Sequence, residues 1–217
     1  GCGAATLVMN IIALWQQEKV TPMSRAEREA PRPKFRDAWA DLMAGGKAGR
    51  LLAVVVIGTL AFNMQDILLE PYGGEVLGLS VSSTTLLTAL YAMGALAGFL
   101  IAGRWLARGH DPYRTAARGL LVGLIAFPSI IFAGPLSSVP LFYAGAGLVG
   151  FGAGLFAVST LTAAMALKTS GTGAGLALGA WGAAQATAAG VSIFLAGAMR
   201  DIVGQLALSG ALGPALT

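Results

Sequence analysis

Residues 63–80 read NMQDILLEPYGGEVLGLS, with Asp66, Glu70 and Glu75 and no Lys or Arg among them. Asp66 and Glu70 are four residues apart, so a helix places them on one face. Gln65 stands one residue earlier, about 100° round the helix, and Asn63 adds a second amide. Such a group supports several chemistries. The acids could carry protons, act as carbonyl-like ligands when protonated, or hold a hard cation such as Mg²⁺, which takes oxygen donors. They also suit an interfacial cap, with acids at the water boundary and Tyr72 in an aromatic belt. The residues alone leave these readings open.

The elements that must position them are membrane helices. Of the 217 residues, 56% are hydrophobic and 11% charged, against about 25% charged in an ordinary soluble domain. Residues 76–103, 119–167 and 169–199 contain no charged side chain. Runs this long read as transmembrane helices, and no period-two alternation suggests a membrane barrel. The expected class is therefore an all-α, polytopic membrane protein. Helices are expected over 51–70, 82–107, 115–134, 140–167 and 174–199, with 1–15 as the end of a preceding span. The chain thus reads as a piece of something longer. Residues 200–217 are expected as a loop.

Counting from Leu51 at about 1.5 Å per residue puts Asp66 about 22 Å along its helix, toward one bilayer boundary. Pro71 is expected to end that helix, and Tyr72, Gly73 and Gly74 to turn the chain. All the lysines and arginines except Arg200 fall in three connections, 16–50, 104–118 and 168–173. Short basic loops stay cytoplasmic. The segment 16–50, the loop bearing Arg104 and Arg108, and Lys168 are therefore expected inside. The acidic corner, the 135–139 turn and 200–217 are expected outside. The net charge of +4 then follows topology, and nucleic acid is not an expected partner. Within the 16–50 linker, FRDAWADLM places Phe35, Trp39 and Leu42 at helical spacing. That pattern fits a helix lying in the membrane surface or one packed on its own protein.

Glycines recur four apart at 94/98, 119/123, 150/154 and 171/175/179, a spacing that lets membrane helices approach closely. GAGLVG at 145–150 is a literal G-x-G-x-x-G, but it sits inside an apolar run rather than in a strand–helix turn, so no nucleotide site is expected. Cys2 is the lone cysteine and reads as a small packing residue. His110 is the lone histidine and reads as a solvated loop residue. No nucleophile–base set is visible, and an enzyme is not expected.

Residues 63–80, GFGAGLFAVSTLTAAMAL at 150–167 and GLALGAWGAAQATAAGVSIFLAGAMRDIV at 175–203 resemble the PucC/LhaA-type light-harvesting assembly proteins, the bacteriochlorophyll delivery branch of the major facilitator superfamily. The resemblance covers nearly the whole chain and implies most of the C-terminal half of a major-facilitator-like bundle. GRWLARGHDPYR at 103–114 is similar to the superfamily's loop motif but lacks its acidic residue, because Ala107 is followed directly by Arg108. The resemblance implies assembly of photosynthetic antennae in the inner, intracytoplasmic membrane of a phototrophic bacterium. The implied partners are antenna α/β polypeptides, the reaction centre–antenna complex and membrane lipid. Bacteriochlorophyll is the implied ligand, with carotenoid or lipid beside it. Gln65, Asp66, Glu70, Tyr72, Trp181 and Gln185 are the candidate pigment-binding residues, and Gln65, Glu70 or Gln185 could supply the axial donor to the pigment's magnesium. Trp181 and Gln185 are four apart and share a face, which equally suits helix packing with an interhelical hydrogen bond. The competing functions are a secondary transporter of a tetrapyrrole or other hydrophobic solute, and a scaffold that binds protein alone.

Overall fold

The computed structural model describes residues 8, 10, 11, 34–75, 77–167 and 173–208. The chain divides into two units, Gly1–Lys34 and Phe35–Thr217. In the first, Val8, Asn10 and Ile11 are helical, and the remainder of the expected 1–15 span lies outside the described residues. The second unit holds α1 (Phe35–Ala44), α2 (Lys47–Glu75), α3 (Val81–Ala107), α4 (Pro112–Ala133), α5 (Val139–Met165) and α6 (Gly173–Leu208). No strand occurs among the described residues. Among the described residues, five stretches are long and apolar enough to cross a membrane: Lys47–Met64, Thr85–Ala107, Pro112–Ala133, Val139–Met165 and Gly175–Leu206. The unit is a polytopic helical membrane protein.

Local chemistry sets the helix ends. The Ser80 hydroxyl accepts from the Ser83 N–H at 3.4 Å at the start of α3. The Asp111 carboxylate accepts from the Arg114 N–H at 2.8 Å at the start of α4, where Pro112 takes the first turn. Both caps satisfy amides that the helix leaves unpaired. Gly109, at φ 84°, closes α3 by donating its N–H to the Leu106 carbonyl.

Three expected boundaries are corrected. Helix α2 runs through Pro71 to Glu75, because within lipid an unbroken helix is the cheapest way to satisfy the backbone. It ends where the Gly73 carbonyl accepts from the Leu79 N–H. Its start at Lys47 takes the last residues of the expected linker. Helix α6 continues past residue 199 to Leu208, so the loop expected from 200 begins later. No proline interrupts 200–208, and Gly204 is tolerated. At about 1.5 Å per residue the apolar part of α6 is about 48 Å long, more than a bilayer core of about 30 Å, so it tilts or projects.

Helix α5 is the hub. Half of its span is buried, against 17% for the spans of α3 and α6. It packs most extensively on α3 and α4, while α6 lies along α2. The α3–α5 seam is made of glycine. A Cβ on Gly94 or Gly98 would strike the carbonyls of Gly147 and Phe151, and one on Gly150 or Gly154 would strike those of Tyr91 and Ala95. On the α4–α5 side a Cβ on Gly119 would lie 2.7 Å from the Gly152 carbonyl oxygen, and the reverse distance is also 2.7 Å. Three of the four glycine repeats are thus helix contacts. The fourth is not. Gly175 and Gly179 have nothing within 4 Å. Helix α6 packs instead through Ala177 and Ala180, against Leu42 and Ala48, and through Ala184, against Leu51, Val55 and Ala163. Leu42 of α1 is therefore packed on its own protein, while Phe35 and Trp39 stack on each other with centroids 6.0 Å apart and stay exposed. Outward apolar side chains such as Met93, Leu124 and Phe194 form the surface that a lipid core would cover.

Candidate functional site

An open cleft of about 490 Å³ lies among α2, α3, α5 and α6, about midway along the first three. Helix α2 contributes Thr59, Phe62 and Asn63, one turn apart on one face. Helix α3 contributes Tyr91, Ala95 and Phe99, again at helical spacing. Helix α6 contributes Gly182, Gln185, Ala186 and Ala189. The cleft exists because Phe156 of α5 fills the gap left by Gly58 on α2 and meets Phe62 at 5.8 Å. Those bulky rings hold the helices apart beside a wall of small residues on α6.

Among the described residues, no Asp, Glu, Lys or Arg lines the cleft. Its polar groups are Thr59, Asn63, Gln185 and the Tyr91 phenol. Asn63 donates its Nδ2 to the Thr59 carbonyl at 2.8 Å. A carbonyl only accepts, so this bond fixes the amide's orientation and leaves Oδ1 as the atom turned from that carbonyl. The Thr59 hydroxyl is buried and has no hydrogen-bond partner among the described residues. An unpartnered hydroxyl at membrane depth is costly, so the Thr59 hydroxyl is the unsatisfied polar group at this cleft.

The sequence-derived candidates separate in space. Gln185 lines the cleft. Trp181, one turn earlier, donates its indole N–H to the Thr160 hydroxyl of α5 at 3.2 Å and packs on the Leu51–Val55 cluster. Tyr72 sits toward the far end of α2. Its hydroxyl donates to the Ile131 carbonyl at 3.2 Å and its ring meets Phe142 at 5.8 Å. The backbone places Gln65, Asp66 and Glu70 in the same helix as Asn63, while their side chains lie outside the described part of the structure. Arg104 and Arg108 are exposed at the α3–α4 turn, where Arg118 lies over the Trp105 ring at 5.1 Å and His110 meets that ring at 6.1 Å. The GAGLVG stretch is mid-helix in α5, with Gly145 and Gly150 buried. No group of three or more His, Cys, Asp or Glu able to hold a metal occurs among the described residues. Sequence reading missed Thr59, Phe62, Tyr91 and Phe156, and it noticed Asn63 only as a neighbour of the acids.

Five apolar helices among the described residues, four of them bordering a cleft, define a multi-pass membrane protein. The model of the family described as PUCC protein matches residues 1–216, and the chain belongs to the PucC family. It is 57% identical over 213 residues to "Uncharacterized protein in puhA-bchM intergenic region" of Rhodobacter capsulatus, covering 98% of this chain and 44% of that protein. It is 50% identical over 206 residues to "Protein PucC" of Rhodovulum sulfidophilum, covering 94% and 45%. A more distant relative is "Bacteriochlorophyll synthase 44.5 kDa chain" of Rhodobacter capsulatus, 30% identical over 208 residues, covering 91% and 46%. The chain thus spans less than half the length of these curated relatives. No solved structure matches it.

Proposed function

We propose that the chain forms part of an assembly factor for light-harvesting complexes in the inner, intracytoplasmic membrane of a phototrophic bacterium. In this reading it hands bacteriochlorophyll to antenna α/β polypeptides beside the reaction centre, without catalytic turnover. The observation that carries it is the cleft, open and aromatic, whose described lining residues carry no charge. Such a lining suits a hydrophobic pigment and disfavours a hydrophilic solute. Family membership and the pigment named in one relative's description agree with it. The bundle would be one half of a major-facilitator arrangement. Gln65, Asp66, Glu70 and Tyr72 would lie on the pigment's route at the outer end of α2, with carotenoid or lipid as further occupants.

The test is gentle solubilisation of the full-length protein from phototrophically grown cells, with an absorbance spectrum and identification of partners. Antenna polypeptides and near-infrared absorbance are expected together. Absence of both would overturn the proposal. Ion-coupled uptake of a tetrapyrrole into proteoliposomes, abolished by Asp66→Asn, would replace it with a transporter.

A further inference from the structure

The cleft offers a divided set of polar atoms. On α2, Asn63 has its amide nitrogen tied to the Thr59 carbonyl, so its Oδ1 is held as an oriented, neutral oxygen donor. On α6, Gln185 lines the same cleft and makes no hydrogen bond among the described residues. Its carboxamide is still able to donate and accept. The rings of Phe62 and Phe156 line the same cleft, and Phe99 lines it while staying exposed. Gly182, Ala186 and Ala189 of α6 add small residues to the lining.

These atoms select a ligand chemistry. The described lining carries no charge, which suits a neutral ligand. Rings facing small residues call for a planar body. An immobilised amide oxygen suits a hard cation with one open coordination position, since magnesium takes oxygen donors. A second, free carboxamide suits a carbonyl at the ligand's periphery. A magnesium tetrapyrrole carries all of these features. Resting on the pigment-handling reading above, we infer that the macrocycle seats in the α2–α3–α5–α6 cleft, with Asn63 Oδ1 as axial donor to its magnesium and the Gln185 amide as donor to a ring carbonyl. Assignment to Asn63 moves the axial donor away from Gln65 and Glu70, nearer the outer end of the same helix, and away from Gln185.

The experiment titrates full-length protein in nanodiscs with bacteriochlorophyll and, separately, with its magnesium-free pheophytin, following the visible band that responds to magnesium coordination number. Wild type is expected to bind the magnesium pigment about tenfold more tightly than the free base, the worth of one good ligand bond. Asn63→Leu should erase that preference and shift the coordination-sensitive band. Gln185→Leu should weaken both pigments alike. Ala186→Trp should block both. Thermal melts in the same nanodiscs check that each variant folds, and near-isosteric Asn63→Leu serves if the Trp variant does not. A preference left intact by Asn63→Leu overturns the axial assignment. Pigment binding unchanged by Ala186→Trp in a folded protein overturns the cleft while leaving pigment handling in place. Wild type that binds neither pigment while Ala186→Trp lowers its melting point would show the cleft filled by the rest of the polypeptide, overturning this inference. If that protein also lacked antenna partners, the wider proposal would fall with it.

Discussion

The indole N–H of Trp181 on α6 donates to the Thr160 hydroxyl on α5 at 3.2 Å, and that hydroxyl in turn donates to the Phe156 carbonyl at 2.9 Å. Both roles are compatible, because a hydroxyl donates once and accepts through its lone pairs. The pair ties two helices that otherwise share little contact. A double-mutant cycle with Trp181→Phe and Thr160→Val should return a coupling of about 0.6 kcal/mol, the average for interhelical hydrogen bonds in a membrane bundle. Chemical unfolding in mixed micelles measures it. Coupling of zero would reduce Trp181 to a packing side chain.

The glycine seams make a sharper contrast. Gly150→Ala places a methyl against the Tyr91 carbonyl, with backbone on both sides of the clash. Relief requires α3 and α5 to separate, at a cost of about 1–3 kcal/mol. Gly103→Ala, in α3 with nothing within 4 Å, should be neutral or stabilise by up to about 1 kcal/mol through helix propensity. Melting points of the two variants in one detergent should move in opposite directions or differ in size by the seam's cost. Equal shifts would show that the seam yields freely.

Helix α1 tests which apolar positions bear load. Leu42 is buried against Ala48 and Ala177, whereas Phe35 is 70% exposed. Leu42→Ala should cost about 2–5 kcal/mol. Phe35→Ala should leave detergent stability nearly unchanged and weaken association of this segment with the bilayer surface. A quenching assay with brominated lipid reads the second effect.

Much of the architecture was legible because lipid imposes simple demands. A helix crossing the bilayer must be long and uncharged, so the five spans stand out from composition alone. Their ends were less legible. Pro71 looked like a stop, yet lipid rewards continuing the helix more than proline penalises it. The 94/98, 119/123 and 150/154 glycine pairs announced close packing, whereas 175/179 carried the same signal without a neighbour. The cleft was the least legible feature. Asn63 and Gln185 are far apart in sequence, and no periodicity links them. Only the packing of α6 along α2 brings both to one slot. The acids at 66 and 70 drew attention through chemistry, while Thr59 and Asn63, two turns and one turn before Asp66, carried no comparable signal.

Orientation can be read directly. With Cys2 replaced by Ala, His110→Cys in the arginine-rich α3–α4 turn should label only in inverted vesicles. Ser137→Cys, in the exposed turn between α4 and α5, should label from outside intact spheroplasts. The two turns lie at opposite ends of α4. Labelling of both from one side would contradict the helix itself, and reversal of both would contradict the charge-based orientation.

Two hydroxyls separate the cost of burial from the effect of a ligand. Thr59 Oγ1 and Ser159 Oγ are buried without a hydrogen-bond partner among the described residues, but only Thr59 lines the cleft. An unmet buried hydroxyl costs about 1–3 kcal/mol, so removing either should stabilise the ligand-free protein. Ser159→Ala should raise the melting point equally with and without pigment, because Ser159 is buried and is not among the residues lining the cleft. Thr59→Val conserves shape and deletes the hydroxyl beside the Asn63 anchor. It should raise the melting point of pigment-free protein and shrink the further increase produced by saturating bacteriochlorophyll. Binding of ligand to the native state alone stabilises in proportion to the logarithm of its affinity, so the two melting increments report the affinity change directly. A pigment-induced increment that is identical in wild type and Thr59→Val would exclude the Thr59 hydroxyl from pigment binding.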